Sequence, residues 1–253
     1  MKRYLWVAVA ALIAGHPNLA LAQSEVTLIA PGGIKAALEQ LIPAFEKKTG
    51  IKVKATYGSG LGTKKQVASG EPFDVPVLQP PYPEVLASGN VVPSSAKTLA
   101  SISIGVAVKK GAPKPDISTP EAVKKTLLAA KSVAYPNPAG GAAAGVAFDA
   151  TMKQLGIYDQ MQSKLNRAQG GAGAMKVTAA GDAEIGLTFL SEMEDPGIDV
   201  VGPLPKSISP PTILVAFVSA HAKDPAAAKK LVAYISSKEA ASAYKVQRMV
   251  PGK

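Results

Sequence analysis

The chain contains no cysteine. That excludes disulfides, a lipid-modified N-terminal cysteine, thiolate metal ligands and a thiol nucleophile. Histidine is almost as scarce, with two residues, and there is one tryptophan. Trp6 and His16 both lie in the first 22 residues, so the rest of the chain holds the single histidine His221. One histidine without cysteine cannot assemble a zinc site of the usual kind, and His221 reads as a structural residue after a buried strand. Aromatic residues make up only 5% of the chain. A groove that stacks nucleic-acid bases wants aromatics among its basic residues. Here the lysine pairs (Lys47-Lys48, Lys64-Lys65, Lys109-Lys110, Lys124-Lys125, Lys229-Lys230) are dispersed and lack aromatic interleaving. The net charge of +10 therefore reads as solvated faces, with no nucleic-acid partner expected. The N-terminal apolar run, residues 4–15, is shorter than the roughly 20 residues that span a bilayer.

What is present begins with an export address. Lys2 and Arg3 precede that apolar run, and Ala20-Leu21-Ala22 offers the small-x-small pattern of a signal-peptidase site. Residues 1–22 are expected to be a cleaved signal peptide. The mature chain would then start near Gln23 in the periplasm, with the formal net charge reduced from +10 to about +8.

The segment 25–60 carries the clearest organisation. It reads as strand VTLIA (26–30), turn Pro31-Gly32-Gly33, amphipathic helix, strand IKVKATY (51–57) and turn Gly58-Ser59-Gly60. Ile34, Leu38, Leu41, Ile42 and Phe45 fall on one helical stripe. Strand, glycine turn and helix recur near 132, and a related glycine turn stands at 169–173. In between, residues 79–83 (QPPYP) form a proline-stiffened loop. Thr119-Pro120 and Asp224-Pro225 start helices, and Gly89 ends one. Residues 102–109 and 213–218 are long, β-branched apolar runs of the kind buried on both faces. Open α/β sheets bind ligands beyond the carboxyl ends of their strands, where helix N-termini offer N–H groups to anions. The expected fold is α/β: lobe 1 from 23–104 plus 214–253, lobe 2 from 105–213, two crossover strands and a cleft between. A single unbroken sheet is the alternative.

These features resemble the periplasmic molybdate-binding proteins and, more broadly, the type II solute-binding proteins of ABC importers. The resemblance spans the mature chain. It is carried by residues 26–38, the Tyr57–Gly60 turn, QVASGEPFDV (66–75), Ala144-Gly145 ahead of TMKQLG (151–156), AEIGLTFLS (183–191) and the tail 224–240. It implies ligand contacts at Gly32 and Gly33, at Ser59 or Gly60, at Ala144, at Gly171 and at Phe189. Molybdate binders typically have serine where this chain has Gly33, and tyrosine where it has Phe189. Fewer hydroxyls imply weaker selection of a small tetrahedral oxyanion. The smaller Gly33 and apolar Phe189 are expected to leave room for an organic acid, its carboxylate on backbone donors and its body against Phe189 and the Tyr82 loop. The resemblance also implies a monomeric receptor that hands a small anionic solute to an ABC-type membrane permease, without a cofactor.

Catalytic readings find little support. Ser59 lacks the G-x-S-x-G elbow, since Tyr57 stands at its first glycine. Asp74, Asp149, Glu184 and Glu192 have no spacing that pairs them for acid–base work. The glycine pairs at 140–141 and 170–171 do not make a dinucleotide fingerprint. The expectation is a binding protein and not an enzyme. A molybdate, tungstate or other oxyanion binder, or a bilobal sensor, accessory protein or enzyme of this fold, stays open as an alternative.

Overall fold

The computed structural model describes residues 24–252. The expected signal peptide and its cleavage point at Ala22–Gln23 lie outside the described residues. The strands are β1 (Glu25–Pro31), β2 (Lys52–Gly58), β3 (Val75–Leu78), β4 (Val91–Ile102), β5 (Ile104–Lys109), β6 (Val133–Pro136), β7 (Leu165–Ala168), β8 (Ile185–Phe189), β9 (Ile198–Pro203), β10 (Thr212–Ser219) and β11 (Val250–Pro251). The helices are α1 (Lys35–Thr49), α2 (Gly60–Ala68), α3 (Pro83–Ser88), α4 (Pro120–Ala129), α5 (Ala143–Gln154), α6 (Tyr158–Met161), α7 (Gly170–Ala180), α8 (Pro225–Ile235) and α9 (Ala241–Val246).

Two mixed sheets form, in the orders β11-β4-β10-β3-β1-β2 and β7-β6-β8-β5-β9. The first takes strands from both ends of the chain and the second takes the middle. This is the two-lobed α/β architecture. The chain passes from one sheet to the other at Ser103, between β4 and β5, and again between β9 and β10. The apolar run expected as one strand over 102–109 is thus cut at Ser103. The run at 213–218 lies wholly within the first sheet, as β10. The crossings are made by short connections and not by long strands.

Local chemistry explains several element ends. Helix α1 buries Ala37, Leu38, Leu41, Ile42 and Phe45, and it stops at Gly50, whose φ of 73° suits a residue without Cβ. Thr119 Oγ1 accepts from the Ala122 N–H to start α4, and Asp224 Oδ1 accepts from the Ala226 and Ala227 N–H groups to start α8. Within the first sheet, β1 runs parallel to β2 and β3. In the second, β6 runs parallel to β7 and β8. Each parallel strand ends on the side facing the other lobe. Asp74 locks the first sheet: its carboxylate accepts from the Thr27 N–H and hydroxyl, both at 2.7 Å, and from the Lys223 N–H at 2.7 Å. His221 sits in the turn after β10 with Nε2 3.1 Å from Asn90 Oδ1, a structural contact.

Candidate functional site: an interlobe cleft

The carboxyl ends of β1, β2, β3, β6, β7 and β8 meet around one cavity of about 520 Å³. That size falls within the roughly 300–1,000 Å³ of small-molecule sites. From the first lobe come the Pro31–Gly33 turn, the Gly58–Gly60 turn and Gln79. From the second come Pro136 and Asn137, the start of α5, the turn before α7, Phe189 and Glu192. Helices α2, α5 and α7 all begin at this cavity. The first N–H groups of a helix have no acceptor within it and carry the positive end of its dipole, so their convergence favours an anion.

Seven of the eight residues expected from the sequence line this cavity: Gly32, Gly33, Ser59, Gly60, Ala144, Gly171 and Phe189. Tyr82 does not. Its ring stacks edge-on against Phe217, with centroids 5.4 Å apart, and it packs into a separate apolar cluster with Val67, Val85 and Leu78. The proline-stiffened loop turns it away from the cleft.

Ser59 has a local task as well. Its Oγ accepts from the Gly62 N–H at 3.1 Å and caps α2. The expected room beside Gly33 is also not there. A Cβ built on Gly33 would lie 3.0 Å from Ile102 Cδ1 and 3.2 Å from Phe189 Cδ2. The Phe189 ring therefore fills the volume that the missing side chain would open, and Phe189 itself is only 3% exposed. Gly60 and Gly171 are required by close approach. A Cβ at Gly60 would meet Gln79 Oε1 at 2.4 Å, and one at Gly171 would meet Glu192 Oε2 and Thr188 Oγ1 at 2.3 and 2.4 Å.

Three functional candidates were not picked out from the sequence. Gln79 is 3% exposed, lines the cavity, and has no hydrogen-bond partner for either Nε2 or Oε1 among the described residues. A buried amide left unpaired costs about 1–3 kcal/mol, so it suits a site where a ligand or water completes it. Arg167 brings a cation to the rim; its Nη2 donates to Gln162 Oε1 at 2.5 Å, and its guanidinium stands 5.9 Å from the Tyr135 ring centroid. Glu192 brings a carboxyl group. It accepts from the Thr188 hydroxyl at 2.5 Å and keeps part of its surface toward the cavity. Burial pushes its carboxyl above the usual carboxylate range, with the Thr188 hydroxyl and the Phe189 N–H pulling partly back. The sequence gives Glu192 no spacing that pairs it with a second acid, and its partner in the fold is a hydroxyl, that of Thr188 four residues earlier near the end of β8. The signal available beforehand was its place just behind the AEIGLTFLS segment.

The lobes touch beside the cavity. Ser191 Oγ donates to the Gly33 carbonyl at 2.7 Å, and the Leu61 N–H donates to the Gly141 carbonyl at 3.2 Å. Each of these contacts joins one lobe to the other.

Two α/β lobes whose strand ends and helix N-termini face one another across a cleft define the periplasmic solute-binding class. The chain belongs to the family of bacterial extracellular solute-binding proteins, which matches residues 26–247. It is similar to a protein named aconitate isomerase from a Pseudomonas species, with 34% identity over 250 residues, covering 96% of this chain and 94% of that one. It is 30% identical over 243 residues to the molybdate-binding protein ModA of Azotobacter vinelandii, covering 94% of each. The solved periplasmic molybdate-binding protein of Azotobacter vinelandii shares the fold, with a TM-score of 0.74 and 23% identity over 90% of this chain and 100% of that one.

Proposed function

We propose that the protein captures a small organic acid with more than one carboxylate in the interlobe cleft and delivers it to an ABC-type permease in the bacterial envelope. The observation that carries this reading is the polar equipment of the cavity: helix N-termini, the unpaired amide of Gln79 and the Arg167 guanidinium, spread around about 520 Å³. A compact tetrahedral oxyanion can reach only part of that lining. A polycarboxylate reaches more of it, with one carboxylate on the backbone donors of Gly60, Ala144 and Gly171 and another toward Arg167. The relative named aconitate isomerase supports a tricarboxylate as the first probe. The receptor works as a monomer, its lobes 23–104 with 214–253 and 105–213 closing about the two crossings.

Thermal unfolding of the mature protein with cis- and trans-aconitate, other di- and tricarboxylates, molybdate, tungstate and sulfate tests the reading. A ligand at a hundred times its dissociation constant stabilises the fold by about 2.7 kcal/mol. The tricarboxylates are expected to raise the melting temperature most. Stabilisation by molybdate alone overturns the reading in favour of an oxyanion binder.

A second reading is that the bound acid is also isomerised. Glu192, a carboxyl group inside an anion-attracting cavity, favours it.

A further inference from the structure

A carboxyl group is an odd wall for a cleft that otherwise gathers positive helix ends. If Glu192 served only to bind an anion, its charge would oppose the ligand. Its setting is nevertheless built. Thr188, fully buried, donates to Oε2. Gly171 is held without a Cβ by that same carboxyl, and Gly32 of the opposite lobe lies against Oε1, which is 3.7 Å from the Cβ position of Gly32. Glu192 thus stands between the glycine turns of both lobes, where a ligand on their N–H groups would be in reach.

We propose that Glu192 moves a proton on a bound unsaturated polycarboxylate, so that the cleft isomerises its ligand as well as holding it. This rests on the carboxylate-binding reading above. In the step, the Glu192 carboxylate takes a proton from the CH₂ carbon next to the double bond. The C–H bond breaks and its electron pair spreads over three carbons into the carboxylate oxygens, held by the turn N–H groups and Arg167. The proton then returns from Glu192 to the far carbon of the three, and the double bond moves by one position. Nothing is oxidised or reduced and no co-reactant is consumed. For an aconitate the product is again an aconitate, of either geometry.

A desolvated carboxyl is a stronger base than one at the surface, which suits proton transfer near neutral pH. The charged groups on the elements around it are few. Arg167 on β7 lines the same cavity. Arg248, beyond α9, donates to the Leu190 and Met193 carbonyls on either side of Glu192. Lys35 on α1 pairs with Glu39 and lies over the Tyr57 ring. Thr188 is a positioning residue.

The test incubates the mature protein with cis-aconitate in D₂O and follows the ligand by proton NMR. Wild type is expected to form trans-aconitate and to place solvent deuterium on the allylic carbon. Glu192→Gln should slow both by at least about 100-fold while aconitate still raises its melting temperature, by as much as in wild type or more because the opposing charge is gone. Thr188→Val should slow turnover less and move the pH profile. Should Glu192→Gln fail to fold, the wild-type pH profile decides: the rate must follow a group titrating above the normal carboxylate range. Aconitate binding without exchange or isomerisation overturns this proposal and leaves the binding reading standing. Absence of any aconitate binding overturns both, and an undiminished rate in folded Glu192→Gln overturns the assignment to Glu192.

Discussion

At the scale of single residues, the cleft is shaped by what its glycines exclude. Gly171 leaves space that the Glu192 carboxyl and Thr188 hydroxyl occupy. Gly171→Ala is expected to destabilise the protein by about 1–3 kcal/mol, the cost of overpacking a fitted site, and to weaken ligand binding at the same time. Urea unfolding with and without ligand measures both. Gly33 behaves differently from its sequence reading, because Phe189 fills its vacant side-chain volume; a serine there would press on a ring. Glu192 also makes a pH prediction. Its folded pKa is raised, so its contribution to stability is full below the unfolded carboxylate value of about 4.3 and is lost as pH rises through the raised folded value. Relative to wild type, Glu192→Gln should therefore gain stability between weakly acidic and alkaline pH and show no such gain at lower pH. Urea midpoints of the two proteins across that range check the sign.

At the scale of elements, capping chemistry was legible where it is local. Thr119-Pro120, Asp224-Pro225 and Gly89 mark helix ends from the sequence, and α4, α8 and α3 begin or end there. Asp224→Ala removes the acceptor for two N–H groups at the start of α8 and should cost about 0.5–2 kcal/mol in chemical denaturation. Ligand affinity should be unaffected, since α8 starts away from the cavity. Strands were legible when apolar, or when alternating as at 51–57. The polar strand β4, with Pro93, Ser94 and Lys97 exposed, went unnoticed because its stability comes from pairing with β10 and β11. Neither alternation nor a hydrophobic run announces it.

At the scale of the whole molecule, closure depends on the few bonds that cross the cleft. Ser191→Ala deletes the hydroxyl that donates to the Gly33 carbonyl. A hydrogen bond of this kind is worth about 1 kcal/mol, so ligand affinity should fall by roughly fivefold with little change in the stability of either lobe. Calorimetry reads the first and differential scanning the second. Small-angle scattering of the wild type should show a smaller radius of gyration at ligand saturation, and an unchanged radius in both proteins would remove the closure mechanism. Beyond residue 22 the chain has no tryptophan, so tyrosine is the intrinsic fluorophore for following the motion.

The sequence by itself determined the glycine turns at strand ends, the helix caps, the apolar stripe of α1 and the family likeness, because each is written in residues a few positions apart or in their order along the chain. Only the tertiary structure decided that Gln79, Arg167 and Glu192 share one cavity, that Tyr82 leaves it for Phe217, and that Phe189 closes the gap at Gly33. Those outcomes depend on which strands become neighbours in the two sheets and on how the two lobes face each other. No local pattern encodes the meeting of residues from 25 to more than 150 positions apart; it follows from burying both sheets against their helices at once.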